Sequence, residues 1–186
     1  MTTDQDILIQ ELKERNINIM GLSETKLSSE NDNWAFQDHK NQYKCITSSD
    51  PENPYGAGVA ILIKEYLAKH INQITKIDGR IIALKLFFRG KKLLIIQLYL
   101  PSNKRSSNKY QTIVRKLIGE ENRNETCGII LMGDFNAIYD PLTDKPQSSS
   151  KDPNNWKPEI ELFNFLDDWN FTDVYKLWEI DKPSPT

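Results

Sequence analysis

The chain has 186 residues, 38% hydrophobic and 27% charged, with a formal net charge of −2. That length suits one domain with a real core, so residues 1–186 are expected to form a single domain. The charge excludes a strongly basic nucleic-acid coat, but not an enzyme that attracts phosphate through a local patch or a metal ion.

The spacing predicts a helix from Asp4 to Arg15, with Ile7, Leu8 and Leu12 on one face and Thr3 or Asp4 as N-cap. Asn16 breaks the pattern, and Ile17 to Leu22 reads as a short strand ending in Ser23-Glu24-Thr25-Lys26. Glu24 sits where a buried strand meets solvent, although an isolated glutamate there is also an ordinary capping or surface residue. Residues 30–54 read as polar and irregular, anchored by Trp34, Phe36 and Tyr43. His39 has no acidic or second histidine neighbour at ligand spacing, so a surface role is expected. Gly56-Ala57-Gly58 leads into a strand, Val59 to Ile63, without the spacing of a nucleotide-binding loop. His70 falls in a polar connection.

Arg80 to Phe88 and Lys92 to Leu100 read as two strands joined around Gly90-Lys91, a hairpin. Pro101 ends the second by removing a donor, which leaves Tyr99 at a strand end. Tyrosine is also a normal strand residue, so packing alone could account for it. Ser106 to Asn122 reads as an amphipathic helix with Tyr110, Ile113, Val114 and Leu117 inward. Asp140 to Lys157 is a long loop rich in Pro, Ser, Asn and Asp. Pro158 opens a last helix, Glu159 to Trp169, with Ile160, Phe163, Leu166 and Trp169 on one side. An apolar, aromatic stretch runs from Phe171 to Trp178. No internal repeat or second domain is visible.

The most informative stretch is Cys127 to Ala137, CGIILMGDFNA. Its apolar run stops at Gly133, as in a strand buried on both faces, and open α/β sheets bind ligands at the carboxyl ends of such strands. Alternation along an extended chain would send Asp134 and Asn136 to one side. A carboxylate and an amide together suit a hard cation and a phosphate oxygen, though Gly-Asp-x-Asn is also a common turn. Cys45 and Cys127 are the only cysteines, which favours a reduced, intracellular compartment over a disulfide framework. No apolar run reaches membrane-spanning length and MTTDQD lacks a signal-peptide pattern, so neither a membrane nor a protein partner is expected.

In order, SETK, GAGVAILI, LYLPS and GDFNA resemble the endonuclease/exonuclease/phosphatase family, and their wording looks most like the endonuclease domains of non-LTR retrotransposons, which are similar to apurinic endonucleases. The resemblance implies a four-layer α/β sandwich, two mixed sheets face to face with helices outside. It implies that Glu24 holds Mg²⁺ or Mn²⁺, that Tyr99 contacts the scissile phosphate, that Asp134 positions or activates water, and that Asn136 stabilises the transferring phosphoryl group. Ser102 stands where apurinic endonucleases carry Asn and can still donate to phosphate. DNA is the implied substrate. Two departures stand out. The family's opening strand, with an Asn that supports the metal, and its closing Ser-Asp-His motif have no counterpart here. The chain therefore reads as part of the sandwich, truncated at both ends, and as a phosphodiester hydrolase with little or no activity by itself. A non-catalytic nucleic-acid-binding remnant and a phosphatase acting on a small phosphate ester are the alternatives.

Overall fold

The computed structural model describes residues 4–27, 35–50, 52, 56–121, 127–137, 161–174 and 177. The chain divides into two compact units, Met1–Asn136 and Ala137–Thr186.

In the first unit, α1 (Asp4–Glu14) turns Ile9 and Leu12 inward. It stops at Asn16, whose φ of 51° lies in the left-handed region that asparagine tolerates. Asn16 N–H then donates to Lys13 O and Ile17 N–H to Leu12 O, at 3.0 and 2.8 Å, which satisfies carbonyls at the helix end. The first sheet holds β1 (Ile19–Ser23), β2 (Tyr43–Ser48) and β3 (Val59–Lys64) in the order β1-β3-β2. All its pairings are antiparallel, where a mixed sheet was expected. A single 3-10 turn, Gln37–His39, precedes β2, and the short α2 (Glu65–Ala68) follows β3.

The second sheet is mixed, in the order β4-β5-β6-β7. It comprises β4 (Ile71–Ile77), β5 (Ile81–Phe88), β6 (Lys91–Tyr99) and β7 (Cys127–Asp134). The hairpin between β5 and β6 turns on Arg89 and Gly90, at φ 44° and 85°. Two consecutive positive φ values are the backbone of the turn whose twist matches flanking strands. The loop thus lies one residue earlier than Gly90-Lys91. β6 and β7 are parallel, so the chain must cross over between them, and it does so through α3 (Lys104–Glu121).

The two sheets face each other. Ile61 and Ile63 of β3 share one buried cluster with Ile82 and Leu84 of β5 and Ile95 of β6. On the outer side of the first sheet, Leu62 packs with Ile9, Leu12, Phe36 and Tyr43. β3 is therefore covered on both faces, which is why Val59 to Ile63 are all 0% exposed and why its sequence is a continuous apolar run. Along β6, Ile95 faces the other sheet, so alternation turns Leu94, Ile96 and Leu98 the opposite way; all three are fully buried. α3 is tied to this second sheet by the Lys85–Glu121 ion pair. The α/β sandwich expected from the sequence is the observed architecture.

Several local expectations need correction. β2 lies inside the stretch read as irregular, because YKCITS has no clean alternation: its burial runs from Tyr43 through exposed Lys44 to three consecutive buried residues. β4 was missed because its register shifts between Ile71 and Gln73, and a bulge breaks the two-residue period that marks a strand. β7 is not buried on both faces. Its sheet neighbour among the described residues is β6 alone, and Ile130 is 43% exposed. In α3 the deepest residues are Ser107, Tyr110, Gln111, Val114 and Ile118, a stripe that leaves Ile113 and Leu117 half-buried at its margin.

In the second unit, α4 (Glu161–Asp168) buries Leu162 and Leu166, while Phe163 is half-buried. Asn170 at φ 56° caps it, with Phe171 N–H donating to Leu166 O at 2.9 Å. Val174 and Leu177 are exposed. Trp34, the loop expected over residues 140–157, Pro158, Ile160 and Trp178 lie outside the described residues.

At Gly21 the first sheet comes close against the second. A Cβ at Gly21 would overlap the side-chain amide of Gln97 on β6 and lie 3.2 Å from Met132 Cε on β7. Gly21→Val should therefore destabilise the protein by about 1–3 kcal/mol, the usual cost of overpacking. The check is a urea unfolding midpoint for the variant well below that of the wild type.

Candidate phosphate and metal site

Strand register brings several element ends to one rim. Ser23 at the end of β1 and Ser48 at the end of β2 both pair with Val59 at the start of β3. In the second sheet, Ile77 at the end of β4 pairs with Ile81 at the start of β5, whose other partner is Leu98 near the end of β6. Leu98 and Tyr99 pair in turn with Gly133 and Asp134. Facing sheets with aligned ends turn residues remote in sequence into neighbours.

Glu24 follows β1 with φ 56°, and Lys26 has φ 51°. Left-handed backbone costs a non-glycine residue roughly 1–2 kcal/mol. It is held here by Thr25 N–H donating to Gly58 O at 3.1 Å and Lys26 N–H donating to Ala57 O at 3.3 Å. Gly58 is needed at that point: its φ is 125°, and a Cβ on it would overlap Thr25 Oγ1. The Gly-Ala-Gly segment is thus a backbone clamp for the Glu24 loop, consistent with the absence of phosphate-loop spacing.

Tyr99 O–H donates to Glu24 Oε1 at 2.6 Å, across the gap between the sheets. That bond, followed by burial, pushes the phenol above its ordinary value of 10.0, and the nearby Arg80 charge opposes the shift. Tyr99 is therefore a protonated donor at neutral pH. The Arg80 guanidinium lies over the Tyr99 ring, 4.6 Å from its centre, a cation–π contact. Arg80 O also accepts from Tyr99 N–H at 2.8 Å. Sequence reasoning took Arg80 only as the first residue of a strand; its signal was the preceding Asp78-Gly79 turn, which puts a cation at the same rim as a strand end.

Asp134 and Asn136 are brought together, but not by alternation. The strand stops at Asp134, and Asn136 takes φ 48°. Asn136 N–H donates to Asp134 Oδ1 at 2.8 Å, the local ring that asparagine and aspartate favour in turns. Asn136 Nδ2 donates to Leu100 O at 2.8 Å, and Leu100 N–H donates to Asp134 O at 2.9 Å. Gly133, at φ 132°, lets this end close, since a Cβ there would overlap the Leu98 carbonyl oxygen. The Asp134 carboxylate is exposed. Ser102 is exposed on the segment between β6 and α3, next to Asn103, whose Oδ1 caps the helix by accepting from Ser106 N–H at 2.9 Å.

Neither histidine is bonded to Glu24, Tyr99, Asp134 or Asn136. His39 precedes the start of β2 and lies 2.8 Å from Asp6 Oδ1 of α1, so its carboxylate partner comes from 33 residues away, where no local spacing could reveal it. His70 precedes β4 and stacks on Phe88, with ring centres 4.5 Å apart. Phe88 ends β5, the opposite end of the sheet from Tyr99.

No group of three or more metal-ligating side chains occurs among the described residues. The donor set does not fit an all-protein cage. It does fit Mg²⁺ or Mn²⁺ taken up by one exposed hard carboxylate, Glu24, with water and phosphate oxygens completing the shell, which is how Mg²⁺ is usually bound.

The profile of the Endonuclease/Exonuclease/phosphatase family matches residues 1–181, and the chain belongs to that family. Among solved structures it is similar to a truncated TDP2 from Caenorhabditis elegans, at a TM-score of 0.55 and 14% identity over 72% of this chain and 55% of that one. It matches another TDP2 structure from C. elegans at the same TM-score, over 42% of that chain. At this identity the likeness is one of fold. The chain spans about half the length of the structures it matches. No curated protein matches it. No helix among the described residues is long and apolar enough to cross a membrane.

The rim has its own electrostatic strut. Asp78, in the turn before Arg80, accepts from Lys109 Nζ at 2.7 Å and from Tyr110 O–H at 3.3 Å, both on α3. The Lys109 hydrogen bond outweighs burial and holds the Asp78 carboxyl below 3.8. A carboxylate with a lowered folded-state pKa stabilises the protein above its unfolded value, and that stability is lost as pH falls through the folded value. Asp78→Asn should therefore flatten the acid limb of the stability curve below about pH 4, read from urea midpoints at a series of pH values. A limb as steep as that of the wild type would refute the strut.

Proposed function

We propose that this chain is a metal-dependent phosphodiester hydrolase domain acting on DNA, weakly active or inactive by itself. The observation that carries the reading is the 2.6 Å bond from Tyr99 to Glu24 across two sheets, at the rim that also holds Asp134 and Asn136. Family membership supports the reaction class. The SETK, LYLPS and GDFNA wording supports a retrotransposon-type endonuclease and DNA as substrate.

Glu24 would hold Mg²⁺ or Mn²⁺. The bound cation would neutralise charge on the phosphoryl oxygens. Tyr99 has a single O–H, directed at Glu24 in this structure; once the Glu24 charge is engaged elsewhere, that donor can swing to a phosphate oxygen. Arg80, stacked on Tyr99, adds a cation facing the same group. The Leu100 carbonyl fixes the orientation of the Asn136 amide toward the rim, where it can donate to the transferring group. Ser102 offers a further hydroxyl to the phosphate. Asp134 is the acid placed to orient a water.

The weakness of this assembly as a catalyst follows from the histidines. Water is a poor nucleophile at neutral pH, and a placed general base typically contributes about 10²–10⁴-fold. Both histidines of this chain are engaged elsewhere, His39 by Asp6 and His70 by Phe88. That observation also favours, as a second reading, a module that binds DNA without cutting it.

Relaxation of supercoiled plasmid tests the proposal. Nicking should be slow, should require Mg²⁺ or Mn²⁺, and should fall at least about 100-fold, toward background, in Asp134→Ala and Glu24→Gln. DNA binding retained without any nicking would favour the second reading. Nicking unaffected by EDTA and by both substitutions would refute the assignment.

A further inference from the structure

Gln97 is a polar, fully buried side chain beneath the rim that the proposed chemistry does not use. It sits on β6 at 1% exposure, in the apolar run KLLIIQLYL. Its Nε2 donates across the sheet interface to Ser23 Oγ at 3.0 Å. Its Oε1 is buried and has no hydrogen-bond partner among the described residues. A lone acceptor buried this way is costly, so an apolar side chain would pack there more favourably. Gly21 makes room for the amide, since a Cβ at that position would overlap it.

Alternation along β6 places Gln97 and Tyr99 on the same side. Gln97 reaches Ser23 and Tyr99 reaches Glu24, so two successive residues of β1 and its loop are tied to alternate residues of β6. The Gln97–Ser23 bond is the inner rung and the Tyr99–Glu24 bond the outer one. Beyond them, the Thr25 and Lys26 amides are anchored to Gly58 and Ala57.

We infer that Gln97, acting through Ser23, is a positioning residue that holds the end of β1 so that Glu24 presents its carboxylate to a divalent cation. The inference rests on the reading of Glu24 as the metal ligand. Gln97 touches neither metal nor substrate. It adds a side-chain restraint to the backbone from which Glu24 projects, alongside the Thr25 and Lys26 amide bonds. The outer bond alone cannot do this, because Tyr99 must give up its contact with Glu24 when it turns to a phosphate. A rung that takes no part in the reaction keeps the loop in place meanwhile.

The test uses the full 186-residue chain, Mn²⁺ alone as probe read by paramagnetic resonance, and amide hydrogen exchange at Thr25 and Lys26. Gln97→Leu should bind Mn²⁺ about 10-fold more weakly, the scale on which outer-shell partners affect metal sites. It should also exchange faster at Thr25 and Lys26 while its melting temperature holds, because removing the unpartnered oxygen offsets the lost bond. Ser23→Ala should behave alike and serves if Gln97→Leu does not fold. Ser23→Thr, which keeps the hydroxyl, should bind as the wild type does. The double variant should be no weaker than the worse single one, since both break the same rung. Wild-type affinity and exchange in Gln97→Leu, or equal loss in Ser23→Thr and Ser23→Ala, would overturn the inference. If wild type and Glu24→Gln bind Mn²⁺ equally, the metal reading itself fails. Exchange at Thr25 and Lys26 then still judges the rung: unchanged exchange in Gln97→Leu overturns it, and faster exchange upholds it.

Discussion

Everything at the rim depends on how closely two β-sheets pack. The apolar faces of β3, β5 and β6 meet in a shared cluster, and burial of that surface is the main force holding the sheets together. Near the rim the contact changes character. Gly21 removes a side chain from β1, and the amide of Gln97 fills the space from β6. The separation there is set by one missing Cβ. It is short enough for Tyr99 to reach Glu24 from the other sheet. A wider gap would leave the same residues present and the site unmade.

The loops that leave this packed frame are bent rather than slack. Glu24, Lys26, Asp78 and Asn136 all adopt positive φ, and each carries a charged or amide side chain. Such backbone persists only where neighbours over-determine it. Gly58 O holds the Thr25 amide, Lys109 holds Asp78, and Leu100 O holds Asn136. The glycines at 58, 79 and 133 sit against backbone or side-chain atoms that a Cβ would overlap or crowd. At the rim, strained backbone carries the polar groups that point outward, and the packed sheets beneath hold it.

Charge is arranged with the same economy. Acidic Glu24 and Asp134 share the rim with Arg80, and Arg80 is stacked on the Tyr99 ring. Stacking on an aromatic face leaves the edge of a guanidinium available for a planar anion. The rim thus brings two carboxylates and a guanidinium together. The chain's near-neutral total charge conceals this local division.

The sequence by itself determined the fold class and the position of the candidate residues at strand ends. The run VAILI, the apolar strands around Gly90 and the helix periods report burial directly, because burial is a local property of a residue's face. GDFNA was legible because turn chemistry confines residue types over a few positions, whereas SETK and LYLPS stood out only through their resemblance to the family. Tertiary structure alone decided the rest. β4 escaped because a bulge interrupts its period, and β2 because too many of its residues are covered. His39 acquired Asp6, and Arg80 acquired the Tyr99 ring, through folding that no local spacing encodes. Asp134 and Asn136 meet through a turn and not through a strand's alternation, although both routes leave the same two residues adjacent. The role of Gln97 required knowing that Gly21 lies opposite it on another sheet, since a polar residue in an apolar run signals only that some partner exists. Which partner it is depends on sheet separation, and that distance is a property of the whole packed core.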